Sequence, residues 1–198
     1  MTIWGWALLG AGSWALAVAL KVAADVVVQR STTVALQDWL AALLSGVWSS
    51  LCELGLAAFA FWYWSATFAD ALVLATGAAL AEFLVLLPAA ISANWSKKQS
   101  QKKQSAGWSA FYTERAVAIA NHLAARALMW LGVASPVGPA AVGGAVGLFA
   151  LSESVQAYAQ AKEWDFLNRR ILISVLLFQI VIICAEIALL VMWTKAAS

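Results

Sequence analysis

The chain has 198 residues, of which 64% are hydrophobic and 11% charged, and its mean hydropathy of +0.83 excludes an ordinary soluble domain and marks an integral membrane protein. A net charge of +2 leaves no nucleic-acid surface. Cys52 and Cys184 both lie in apolar runs, so neither a disulfide framework nor a cysteine-rich metal site is expected.

The first apolar run extends from about Ile3 to Val27, and MTIWGWALLG has no basic stretch ahead of it, so a cleavable signal peptide is not expected. Near its end Lys21 and Asp25 stand four residues apart, a spacing that predicts pairing with each other or snorkelling at the interface. After a polar connection from Gln29 to Gln37, Trp39 to Trp64 is long enough, at about 39 Å, to span with tilt. Glu53 sits near its middle. The third run, about Phe68 to Ile91, carries Glu82 just past its centre and Pro88 near its end, where a frayed terminus or a kink is expected. The hydrophilic loop SANWSKKQSQKKQSAG, with Lys97, Lys98, Lys102 and Lys103, leads into Trp108 to Val133, the stretch on which the chain is organised.

That central run has the apolar weight of a span, yet it holds Glu114, Arg115, Asn121, Arg126 and the one histidine, His122. Helical spacing puts Arg115, Ala118, His122, Ala125 and Arg126 on one stripe, facing other helices. A turn around Ser135, Pro136, Gly138 and Pro139 starts the fifth run, Ala140 to about Gln160, where Gly143 and Gly147 form a GxxxG pattern that predicts close helix packing. Glu153, Gln156 and Gln160 follow on one stripe. The sixth run, Ile171 to Trp193, is interrupted by Gln179 and Glu186, which share a face.

The expected fold is therefore all-α, a polytopic transmembrane helical bundle of about six spans forming a single domain over residues 1–198. Connections on one side carry Arg30, the four loop lysines, Lys162, Arg169 and Arg170, against Lys195 opposite. The positive-inside rule then puts the 93–107 loop in the cytoplasm and both termini outside, in a membrane read as a prokaryotic plasma membrane. The loop lysines are expected to lie near anionic lipid headgroups. Trp4, Trp6, Trp39, Trp62, Trp64, Trp108, Trp130 and Trp193 fall near helix ends, where interface anchoring explains them, while Trp14 and Trp48 are expected to pack inside.

Glu53, Glu82 and His122 fall at similar depth in adjacent antiparallel spans. Gly46, Ser49, Ser50 and Glu53 follow i, i+3, i+4, i+7 spacing, as do Ala75, Ala78, Ala79 and Glu82, and small residues leading into an acid allow close approach beside a polar centre. Facing lipid, each of the seven charges at Glu53, Glu82, Glu114, Arg115, Arg126, Glu153 and Glu186 would cost about 3 kcal/mol, or about 20 together. Typical folding stabilities are about 5 to 15 kcal/mol. These groups must pair, protonate or line a wet cavity. One reading is a pocket where Glu53, Glu82 and His122 bind one divalent metal ion or activate a water, with Arg115 and Asn121 stabilising developing charge. The other is a hydrogen-bonded network that fixes helix register, with Glu114 and Arg115 as a structural pair.

LCELGLAAFAFWY, DALVLATGAALAEFLVL and TERAVAIANH, in that order and at those gaps, resemble three motifs of the YhfC-type intramembrane metallopeptidases, relatives of the CPBP group that includes the CAAX-prenyl endopeptidases. The likeness covers about residues 45–160 and carries Glu53, Glu82, Glu114, Arg115 and His122. Where the family pattern has a second glutamate, an arginine and a histidine, this chain has Leu54, Ala57 and Ala78, and a late His and Asp are replaced by Ser152 and Gln156. The resemblance implies intramembrane proteolysis; the departures imply a fold kept without that chemistry, as a scaffold or accessory subunit for another membrane protein. Two further expectations stand beside it: an active glutamate- and metal-dependent peptidase using Glu53, Glu82 and His122, and a proton or small-solute pathway lined by Glu82, His122, Arg126 and Glu153.

Overall fold

A computed structural model describes residues 1–31, 38–96, 101–166 and 168–197, without the side chains of 25–31, 93–96, 101–106 and 197. Among the described residues all regular structure is helical: α1 (Ile3–Ser31), α2 (Asp38–Trp64), α3 (Phe68–Ser96), α4 (Gln101–Ala134), α5 (Gly138–Ala161) and α6 (Arg169–Ala197). Each contains an apolar segment of 22 to 28 residues, long enough to cross a bilayer. A helix satisfies its own backbone groups, which is why uninterrupted apolar runs adopt it where water is absent. The expected pairing of Lys21 with Asp25 and the headgroup contacts of Lys97, Lys98, Lys102 and Lys103 involve side chains outside the described residues.

Local chemistry sets the turns. Between α2 and α3, Ser65 takes a positive φ of 48°, and Ala66 N–H donates to Phe61 O. Thr67 and Asp70 then cap α3 reciprocally: Asp70 N–H donates to Thr67 Oγ1 at 3.2 Å and Thr67 N–H donates to Asp70 Oδ2 at 2.9 Å. Between α4 and α5, Gly138 N–H donates to Ser135 O, and a proline sits in the first turn of α5, where its missing N–H costs nothing. Pro88 lies inside α3, and the helix continues through it to Ser96 rather than ending there.

Helix α4 packs against α2, α3, α5 and α6. Its membrane-length segment is 56% buried, against 17% for α1. The predicted stripe Arg115, Ala118, His122, Ala125 and Arg126 is buried throughout. Since lipid tails are as apolar as leucine, helix association in a membrane depends on close packing and polar contacts more than on burial of apolar area. Two such contacts organise the bundle. A Cβ on Gly10 would lie 2.0 Å from Leu74 O, and one on Gly77 would lie 2.0 Å from Ala7 O, so α1 and α3 touch backbone to backbone. In the other, Gly46 of α2 leaves no room for a Cβ beside Ala150 O and Ser154 of α5, and Ser50 Oγ donates to Val146 O at 2.9 Å.

The predicted close approach at Gly143 and Gly147 is absent: both glycines are exposed and a Cβ on either would meet nothing within 4 Å. Opposite their face, Ala141, Ala145 and Phe149 are the α5 residues that enter the core. Two tryptophans also depart from expectation. Trp6 is buried in the core with Leu54, Phe61 and Leu74, and Trp48 is exposed, whereas Trp14 is buried as expected.

Candidate functional site

The polar residues of five helices meet in one connected chain. Lys21 of α1 reaches across to α2, its Nζ 2.7 Å from Glu53 Oε1, and lies 3.6 Å from Glu153 Oε2 of α5. Glu53 is completed on its other oxygen by Arg126 of α4, which donates from Nη2 to Oε2 at 3.2 Å. Arg126 Nη1 contacts His122 Nδ1 one turn earlier. A guanidinium only donates, so Nδ1 accepts and the ring proton sits on Nε2, which donates to Glu82 Oε2 of α3 at 2.6 Å. Arg115 then closes the chain, donating from Nη1 to Glu82 Oε1 and from Nη2 to Glu114 Oε1 at 2.7 Å. Ser49 holds Glu153, donating from Oγ to Oε2 at 2.6 Å.

Helical periodicity produces this alignment. Positions 115, 122 and 126 recur at seven and four residues and fall on one face of α4, with α2 and α3 delivering one glutamate each at the same level. The small residues leading to the acids are buried, with Gly46 and Ser50 of α2 packed on α5 and Ala78 of α3 packed on Gly10 of α1. The expected meeting of Glu53, Glu82 and His122 therefore occurs.

Its chemistry differs from that of a metal centre. Glu82 approaches His122 from Nε2, while Glu53 lies 3.8 Å from Nδ1 on the opposite side of the ring. An ion bound to either nitrogen would have one of the two carboxylates beside it and the other across the imidazole. Both oxygens of Glu53 accept from cations, and Glu82 accepts from Arg115 and His122. Among the described residues no group of three His, Cys, Asp or Glu side chains is placed to hold a metal ion. The residues thus form a ladder, Lys21, Glu53, Arg126, His122, Glu82, Arg115, Glu114, in which Glu53 and Glu82 each lie between positive or donating groups and Glu114 ends the series.

Asn121 stands apart from the ladder. Its Nδ2 donates to Ser152 Oγ of α5 at 3.2 Å, and its buried Oδ1 has no hydrogen-bond partner. On α6, Gln179 and Glu186 share a buried face as their spacing predicts, and neither carboxyl oxygen of Glu186 has a hydrogen-bond partner. Glu186 therefore belongs to this bundle's own interior rather than to a lipid- or partner-facing surface. Lys21 is the site residue that sequence reasoning missed as an inward group. Depth gave no signal for it, because Lys21 falls near the end of its apolar run and Glu53 near the middle of the next.

Part of the ladder borders a cavity of about 620 Å³. Glu53, Glu82, Glu114, Arg115, Glu153 and Lys21 form its polar lining. Trp14, Val18, Val85, Leu86 and Phe111 form its apolar lining, and Gln156 and Gln160 extend the stripe that begins at Glu153. Most of these residues come from the later halves of α1, α3 and α5 and the first half of α4, so the cavity lies toward the end of the bundle bearing the α1–α2, α3–α4 and α5–α6 connections. Near that end Lys162 pairs with Asp38, whose hydrogen bond and charge raise the pKa of the exposed ammonium. Comparisons with protein-family models, with curated proteins and with solved structures gave no match to this chain.

Proposed function

We propose that this protein is a non-catalytic membrane scaffold or accessory subunit, built on an arrangement like that of the intramembrane peptidases. The observation that carries the reading is what occupies the positions where the resemblance anticipates water-activating groups. Leu54 and Ala57 are fully buried in the apolar core and Ala78 is fully buried on α3. The acids that remain are held by cations and donors: Lys21 and Arg126 on Glu53, and Arg115 and His122 on Glu82. A general base needs a lone pair directed at the water it deprotonates. Here each oxygen of Glu53 and Glu82 already accepts from a cation or donor on a neighbouring helix, and the ladder serves to fix α1, α2, α3 and α4 in register.

In this reading both termini lie outside and the cavity faces the cytoplasm, where the basic connections meet anionic headgroups. The partner is a second membrane protein. Peptidase activity is the competing reading, and the cavity beside the His122–Glu82 contact favours it.

The deciding experiment is cleavage of membrane-protein and fluorogenic peptide substrates by purified wild type and Glu53→Ala in nanodiscs. The scaffold reading expects no difference between the two, and a defined membrane protein crosslinked to the wild type in its native membrane. Cleavage abolished by Glu53→Ala would overturn it.

A further inference from the structure

The charge ladder does not close at the cavity. Four carboxylates, Glu53, Glu82, Glu114 and Glu153, border it, while the cations paired with them are Lys21, Arg115 and, behind Glu53, Arg126. His122 is engaged on both ring nitrogens, by Arg126 and by Glu82, and reaches neither Glu114 nor Glu153. Counted against these lysine and arginine partners the lining has one carboxyl group more, and the geometry singles out Glu153. Its close hydrogen bond comes from the neutral Ser49 hydroxyl at 2.6 Å, and Lys21 stands 3.6 Å away while bonding Glu53 at 2.7 Å. Glu114, Glu153 and Glu82 are 30%, 23% and 19% exposed, against 24% for Lys21 and 6% for Arg115, so the surface that the cavity offers carries more carboxylate than cation.

The rest of the lining suits one class of ligand. Trp14 and Phe111 supply aromatic rings, Val18, Val85 and Leu86 an apolar wall, and about 620 Å³ is within the range that takes a drug-sized molecule. Carboxylates and aromatic faces are the two groups that hold an organic cation, the first by charge and the second through the ring quadrupole. We infer that this cavity is a binding site for a monovalent organic cation with an apolar body, its charge against Glu153 and its body between Trp14 and Phe111. An inorganic cation would leave the apolar wall uncovered, and an anion would meet Glu82, Glu114 and Glu153. The inference is independent of the scaffold reading, since a peptidase would keep the same wall.

Binding of radiolabelled tetraphenylphosphonium to the full-length protein in nanodiscs tests it, with tetraphenylborate, the same shape with opposite charge, as the control. Saturable binding of the phosphonium and none of the borate is expected. Glu153→Gln, which can still accept from Ser49, should weaken binding about tenfold, the effect of removing one charged contact. Gln160→Glu, adding a carboxylate to the same stripe, should tighten it severalfold. Equal binding of both probes, or affinities unchanged in both variants, would overturn the proposal. Repeating the titration at a fixed phosphatidylglycerol fraction, with the remainder an uncharged glycolipid or phosphatidylethanolamine, identifies the natural source. Competition by the aminophospholipid supports the site and assigns it to a lipid headgroup; undiminished binding supports it and assigns it to a free amphiphile.

Discussion

Helices α4 and α6 both carry polar side chains through the apolar interior and accommodate them differently. On α4, Arg115, His122 and Arg126 each meet a glutamate or one another, so the charges are shared among three helices. On α6, Glu186 and Gln179 are as deeply buried, yet Glu186 has no hydrogen bond and Gln179 Oε1 is also unpartnered. Desolvation of an ion is strongly unfavourable in either place and is offset only where partners surround it. The α4 groups therefore hold the bundle together, whereas Glu186 is a weak point that the packing tolerates.

The largest effect should come from breaking the α4 side. Arg126→Ala leaves Glu53 buried with Lys21 as its remaining cation and removes the donor that sets the His122 tautomer, so a loss of about 3 to 5 kcal/mol is expected in reversible unfolding from detergent micelles. Adding Glu53→Gln to that variant should recover part of the loss, because the orphaned charge goes with it. Additive losses would mean that the two residues do not act as a pair.

A smaller effect separates the two kinds of glycine. Gly77→Ala forces a methyl against Ala7 O and should cost about 1 to 3 kcal/mol. Gly143→Ala meets open space and should raise stability by about 0.5 to 1 kcal/mol through helix propensity. The same unfolding assay reads both, and a loss at Gly143 would show that its exposed face is occupied in the solubilised protein.

An effect as small as that at Gly143 is expected on α6. Glu186→Met replaces an unpartnered carboxyl with an apolar group of similar length and should stabilise the protein by about 1 kcal/mol. A loss of about 3 kcal/mol instead would mean that Glu186 balances Arg126 as much as Glu53 does, and α6 would join the ladder.

Periodicity made much of this legible in advance. Apolar run lengths located all six helices to within a few residues except at the later ends of α1, α3 and α6 and the start of α4, where helix continues beyond the apolar run. Stripe analysis identified the buried faces around Glu53, Glu82 and His122. Gly143–Gly147 misled because a small-residue motif specifies that a helix can approach another closely, not that a partner lies on that side. Gly10 and Gly77 were overlooked because each stands where no sequence repeat advertises a contact, and their close fit exists only once α1 lies against α3. Lys21 was assigned to its own helix because a nearby acid at i+4 is visible in sequence, whereas Glu53 is 32 residues away.

By itself the sequence determined that this is a helical membrane protein and which polar side chains share a face on α4, α5 and α6, because a backbone in lipid must satisfy its own hydrogen bonds and a 3.6-residue repeat dictates which side chains share a side. The tertiary structure alone decided which polar groups became partners. A helix face can turn toward any neighbour, and only the packing of α1 on α3 and of α5 on α2, with α4 against α2, α3 and α5, brought Lys21, Arg126 and Arg115 to the acids and left Glu153 at the cavity with its charge least compensated.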